Sequence, residues 1–105
     1  MRPSLAPDSA PTVGILRVRL AIPAATLKEK RAVVKSLAER LRNRFNASIA
    51  EIAELDDPGR ATIAAAVISN SGAHADAQMA AIAAAIEATR LDAEVLDIAT
   101  ELIAL

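Results

Sequence analysis

The chain has 105 residues, a formal net charge of −1, no cysteine and one aromatic residue, Phe45. That length supports a single modest core and not two. The missing thiols exclude disulfides, thiolate metal sites and cysteine nucleophiles. A single aromatic residue excludes a surface that reads nucleic-acid bases by stacking on its strands. Alanine dominates the apolar residues, and each alanine buries little area, so the core must rest on Leu, Ile and Val. A core this thin favours assembly with a second copy.

The first twelve residues, MRPSLAPDSAPT, carry three prolines, Asp8 and no apolar run. They read as a disordered arm over 1–12, neither a signal peptide nor a membrane span. The domain proper is expected over 13–105. No later stretch approaches 18 unbroken apolar residues, so the expected location is cytoplasmic, with no membrane partner.

VGILRVRLAIP alternates Leu16, Val18, Leu20 and Ile22 against Ile15, Arg17, Arg19 and Ala21. This is the pattern of a half-buried strand that Pro23 ends. TLKEKRAVVKSLAERLRNRF, residues 26–45, places Leu27, Val34, Leu37, Ala38, Leu41 and Phe45 on one helical face. Asn46 stands where a left-handed residue closes a helix. ASIAEIAEL then predicts a strand, DDPG a turn, and RATIAAAVIS the second strand of a hairpin. SNSG introduces an alanine-rich helix over about 73–89, with Met79, Ile82, Ala83 and Ile86 inward. Last, AEVLDIATELI alternates Leu96, Ile98, Thr100 and Leu102 against Val95, Asp97, Ala99 and Glu101.

The order β-α-β-β-α-β is that of the α+β ferredoxin-like two-layer sandwich. Right-handed crossovers give an antiparallel sheet of order 4-1-3-2 with both helices on one face. The third strand then lies inside the sheet, and it has no polar side. Thr62, Ala64, Ala66 and Ile68 oppose Ala61, Ile63, Ala65 and Val67. One of these rows must line the open face, and an uncovered apolar face asks for a partner. The expected occupant is a second copy, with Ile15, Arg17, Arg19, Asp97 and Glu101 as the interface. Within one chain, Arg17 and Arg19 are expected to face Asp97 and Glu101 across the strands.

Charge divides along the chain. Residues 1–46 hold ten Lys or Arg and three acids, +7, whereas residues 47–105 hold two and ten, −8. Such asymmetry points to a polyanionic partner. Seven of the cations lie in the first helix. Thr26 and Glu29 form a capping box, and Arg40, Arg42 and Arg44 complement the negative end of the helix dipole. Lys28, Lys30 and Arg31 instead crowd the positive end, at a cost of about 0.3–1 kcal/mol each when exposed. Lys28, Arg31 and Lys35 also repel one another. An anion would offset that cost. The candidate anion or nucleic-acid site is therefore Lys28, Lys30, Arg31, Lys35 and Arg42, with Lys30 nearest the apolar face, where its stem can snorkel. The competing reading is a solvated face, or ion pairs to Glu51, Glu54, Asp56 or Asp57.

LKEKRAVVKSLAERLRNRFNASIAE, followed at a fixed distance by RATIAAAVISN, closely resembles the YlxP-like bacterial proteins, domain of unknown function family 503. The resemblance spans roughly residues 13–103. It implies the same ferredoxin-like fold and no established activity. Its characteristic positions here are Leu27, Lys28, Glu29, Lys30, Arg31, Lys35, Ser36, Leu37, Arg42, Arg44, Phe45 and Asn46. Genes of the family often neighbour those for transcription termination and translation initiation, which implies work on RNA or the ribosome. Relatives commonly carry an aromatic residue at the hairpin turn, where this chain has DDPG.

Catalytic chemistry is not expected. His74 is the one histidine, and Ser69, Ser71, His74 and Asp76 crowd one strand–helix junction without converging as a triad. Glu51, Glu54, Asp56 and Asp57 lack EF-hand spacing, and Gly14, Gly59 and Gly72 make no phosphate loop. No metal and no cofactor are expected. The sequence therefore predicts a non-enzymatic, cytoplasmic, homodimeric binding module whose basic helix contacts structured RNA or the ribosome. The alternative is a structural or regulatory homo-oligomer holding a protein or small ligand on its sheet face.

Overall fold

The computed structural model describes residues 10–89 and 93–105. Six elements follow in order: β1 (Thr12–Ala21), α1 (Leu27–Arg44), β2 (Ser48–Ala53), β3 (Arg60–Ser69), α2 (Gly72–Ala88) and β4 (Glu94–Ala104). The strands form one antiparallel sheet of order β2-β3-β1-β4. This is the ferredoxin-like α+β sandwich and the strand order that the sequence predicts. Residues 1–9 of the expected arm lie outside the described residues. Pro11, at its end, accepts the Leu105 backbone N–H at 3.2 Å.

The core forms where the strand and helix periodicities meet. Leu16, Val18 and Leu20 of β1, Ile49 of β2, and Ala61, Ile63, Ala65 and Val67 of β3 are buried. Against them lie Val34, Leu37, Ala38 and Leu41 of α1 and Ala75, Met79, Ile82 and Ile86 of α2. Alanine on β3 lets the helices sit close, and Gly14 extends this on β1. A Cβ at Gly14 would meet Met79 Sδ at 2.9 Å and Val67 Cγ2 at 3.0 Å. A side chain at Gly14 would thus need Met79 and Val67 to shift, which marks the close approach of α2 to β1.

Both helices start on hydroxyl caps. Thr26 accepts the Glu29 backbone N–H at 3.1 Å and donates to the Glu29 carboxylate at 3.2 Å. The carboxylate therefore returns to the Thr26 hydroxyl, not to its backbone N–H as the capping-box pattern predicts. Ser71 caps α2 by accepting from His74 N–H at 3.3 Å.

Three local features depart from the sequence reading. Asn46 does not close α1 in a left-handed conformation. The helix ends at Phe45 in extended backbone, its N–H still bonded to the Leu41 carbonyl at 2.8 Å. The left-handed residue is Glu54, with φ 61°. It ends β2 at Ala53, two residues earlier than predicted, just after a bulge at Ile52 between the Glu51–Ile63 and Ala53–Thr62 pairs. A second bulge lies in β4. Arg19 pairs with Asp97 but Leu20 pairs with Val95, leaving Leu96 extra. Strict alternation predicts Leu96 on the inner row. The bulge moves Val95 onto it instead, packed against the core, and leaves Leu96 exposed.

Candidate functional site

Lys28 and Lys30 lie two positions apart on α1 and reach opposite environments. Lys28, Arg31, Lys35 and Arg42 are exposed, and their spacing of three, four and seven puts them on one stripe. Among the described residues, Lys28, Arg31 and Lys35 make no ion pair. Arg42, at the far end, donates to the Ile49 carbonyl of β2 at 2.6 Å, which sets the stripe over the β2 edge. Arg44 instead lies 5.2 Å from the centre of the Phe45 ring.

Lys30 does not belong to that surface. Its side chain is fully buried, and its ammonium donates to the carbonyls of Glu54 at 2.7 Å, Arg60 at 3.1 Å and Leu55 at 3.2 Å. The Glu51 carboxylate lies 2.9 Å from the same nitrogen. An ammonium with three carbonyls and a carboxylate has no free donor for an outside anion. The candidate anion set therefore loses Lys30 and keeps Lys28, Arg31, Lys35 and Arg42. The helix-period pattern places Lys30 beside the apolar face. The hairpin carbonyls turned toward it are the part no sequence pattern carries.

The hairpin acids are also used, and on opposite sides of the sheet. Glu51 lies with Lys30 on the helix side. Glu54 carries its carboxylate to the open face, where Arg19 meets it in a two-pronged pair at 2.7 and 3.1 Å. Thr62 donates to the same carboxylate at 2.8 Å. The left-handed turn at Glu54 makes both ends work: its carbonyl bonds Lys30 below while its side chain bonds Arg19 above. The Arg19 guanidinium, then the Thr62 hydroxyl, hold the Glu54 carboxyl down at about 2, and the carboxylate pushes Arg19 above its ordinary value. The Glu51–Glu54–Asp56–Asp57 set does not converge, and no cluster of three metal-ligating side chains occurs among the described residues.

The candidate interface residues do share the open face. Ile15 pairs with Glu101 and Arg19 with Asp97 across β1 and β4, while Arg17 lies between Ala64 and Ala99. Arg19 bonds Glu54, however, and not Asp97 as the cross-strand reading predicts. Arg17 makes no ion pair among the described residues. Around it, Ile15, Ile52, Ala64, Ala99 and Glu101 line a shallow open depression of about 340 Å³. Its alanine floor explains the absence of aromatic stacking positions, and Ile68 stands 65% exposed beyond it. Sequence reasoning offers Glu54 only as a partner for the first-helix cations and misses its pairing with Arg19 and Thr62, because no local signal marks a glutamate for the left-handed region.

No helix among the described residues is long and apolar enough to cross a membrane. In overall shape the chain is similar to a computationally designed protein, Foldit4, with a TM-score of 0.50 at 14% identity. That match covers 87% of this chain and 96% of the other, and it bears on the fold alone. In sequence the chain is 38% identical over 64 residues to the uncharacterized protein YlxP of Bacillus subtilis (strain 168), covering 61% of this chain and 70% of that protein. The model of the protein family of unknown function DUF503 matches residues 13–100, and the chain belongs to that family.

Proposed function

We propose that this protein is a cytoplasmic, non-catalytic binding module, working as a homodimer, whose first helix contacts the phosphate backbone of structured RNA, free or within a ribosomal subunit. The observation that carries this reading is the unpaired stripe. Lys28 and Arg31 stand exposed near the positive end of the α1 dipole without an ion pair among the described residues. The two glutamates of the neighbouring hairpin, Glu51 and Glu54, are held by Lys30 and Arg19. Uncompensated cations at that end of a helix destabilise it locally, and phosphates would relieve this. Recognition without aromatic platforms runs through backbone charge and helical shape.

Three or four phosphate contacts give a log K against log salt slope of roughly −3. Titration against a structured RNA and against ribosomal subunits at two salt concentrations measures it. Lys28→Glu combined with Arg31→Glu is expected to abolish binding while circular dichroism stays unchanged. Affinity indifferent to salt, or a double variant that binds normally, overturns the reading.

The depression around Arg17 supports the second reading, a homo-oligomer that holds a protein or small ligand on its sheet face. One unpaired guanidinium over an alanine floor suits a carboxylate-bearing ligand. Under that reading Arg17→Gln removes ligand binding and the stripe variants leave it intact.

A further inference from the structure

β4 is an edge strand of 11 residues, the longest in the sheet. A long edge presents a row of unpaired backbone groups, and proteins normally blunt it with lysine, proline or a covering element. β4 contains neither lysine nor proline. On its helix side, Ile98 and Leu102 remain 36% and 42% exposed although they belong to the row that meets the core. Among the described residues no side chain bonds a β4 carbonyl.

We propose that β4 pairs antiparallel with β4 of a second copy, with Thr100 on the two-fold axis, joining two four-stranded sheets into one of eight strands. Opposed residues in an antiparallel pair share a face, so a symmetric pairing must centre on a residue. Centring on Ala99 sets Asp97 directly against the partner's Glu101. Centring on Glu101 sets the two glutamates against each other. Like charges directly opposed destabilise a sheet. Centring on Thr100 sets Glu101 against the partner's Ala99 and Asp97 against the partner's Ile103, with no acid opposite an acid. On the helix side it sets Ile98 against the partner's Leu102, covering the two residues that the helices leave exposed.

Two further features fit this register. The bulge at Leu96 ends regular pairing, and Thr100 lies next to the middle of the run it leaves, 97–104. Arg17 lies on β1 beside Ala99, and in this register the partner's Glu101 is the next residue beyond that alanine. The two backbones are then roughly 10 Å apart, twice the strand spacing, and the small Ala99 leaves the path between the two side chains clear. The dimer thus gives Arg17 a carboxylate and leaves both basic helices free. It deepens the two-copy part of the function proposed above by giving that dimer an edge instead of a face, and it is independent of the RNA part.

Because the chain has no cysteine, a single introduced thiol reports on the axis without background. Opposed Cα atoms in antiparallel strands lie about 4.5–5.5 Å apart, within disulfide range. Sedimentation of the wild-type chain is expected to give a dimer. Under mild oxidation Thr100→Cys is expected to convert to a covalent dimer, while Ala64→Cys, at the centre of the open face, does not. Ile98→Lys is expected to weaken the dimer about tenfold or more. A wild-type dimer in which Ala64→Cys links and Thr100→Cys does not overturns the edge and leaves the two-copy reading intact. A chain that is monomeric throughout the micromolar range overturns both. A monomer whose β4 amides become protected only with a basic, alternating apolar peptide assigns the edge to another protein and overturns the proposal. RNA titration of the same samples tests the basic stripe separately.

Discussion

At one edge of the sheet β2 is six residues long, bulged at Ile52, and overlaid by α1, whose Lys30 and Arg42 bond the carbonyls of the hairpin and of Ile49. At the other edge β4 runs 11 residues with Leu96, Ile98, Leu102 and Ile103 exposed and no helix cation over it. At the β2 edge Arg42 bonds the Ile49 carbonyl and Lys30 bonds the carbonyls of the hairpin beyond it, whereas no side chain among the described residues bonds a carbonyl of β4. The charge division along the sequence thus becomes a spatial one. Most of the cations of the first half sit on the helix over β2, and Glu94, Asp97 and Glu101 line β4. The contrast also separates two kinds of cation on a single helix, those that finish the fold and those that face outward.

Lys30 offers the hardest way to break the β2 edge. Lys30→Met leaves three hairpin carbonyls and the Glu51 carboxylate without their shared ammonium, a change expected to cost about 3–5 kcal/mol. Urea unfolding measures it, and adding Glu51→Gln is expected to recover part of the loss, since the carboxylate no longer needs a counter-charge. A loss below about 1 kcal/mol would mean that water replaces the ammonium and that the hairpin is not held by it.

The element order, the strand order, the start of each helix and the inner row of β1 were legible in the sequence, because each depends on a local period or a short-range cap, whereas the two apolar rows of β3 are too alike for the sequence to say which one is buried. Thr26 and the SNSG segment declare their helices, and Leu16, Val18 and Leu20 their buried face, without reference to the rest of the fold. What was not legible depends on backbone placed by tertiary contact. Lys30 reads as a surface cation until the hairpin carbonyls of Glu54, Leu55 and Arg60 are set around it. Arg19 reads as a partner of Asp97 because register opposes them, yet the left-handed turn at Glu54 brings in a second carboxylate that Thr62 also holds. The bulge at Leu96 breaks a period-2 pattern that the sequence carries without interruption. The candidate site is thus half legible: Lys28, Arg31 and Lys35 follow from helical spacing, and an ion pair from this helix to Glu51 is the competing reading that Lys30 fulfils, but the full burial of Lys30 and the capture of Glu54 by Arg19 do not follow from the sequence.

If the outward cations take no part in the fold, reversing them sharpens the contrast with Lys30. Lys28→Glu and Arg31→Glu place acids near the positive end of the α1 dipole, where each is expected to leave stability unchanged or raise it by about 0.3–1 kcal/mol. The same exchange in the RNA titration removes binding. A loss of stability above about 1 kcal/mol in the double variant would make these residues structural cations like Lys30, and the division of α1 into two roles would fail.

The smallest effect lies at the junction of the hairpin with the open face. Arg19 and Thr62 lower the Glu54 carboxyl from 4.5 to about 2, so between those values the unfolded chain binds a proton that the folded chain does not. The stabilisation from the Arg19–Glu54 pair is therefore fully present above pH 4.5 and fades as pH falls through 2. The pair is solvent-exposed, so its contribution is modest and salt-sensitive. Urea midpoints of the wild-type chain and of Glu54→Gln, taken from pH 7 to pH 2, are expected to differ at neutral pH and to converge over that window. Midpoints that stay parallel down to pH 2 would show that the carboxylate titrates alike in both states, and that Arg19 is free to meet Asp97 or a partner on the open face.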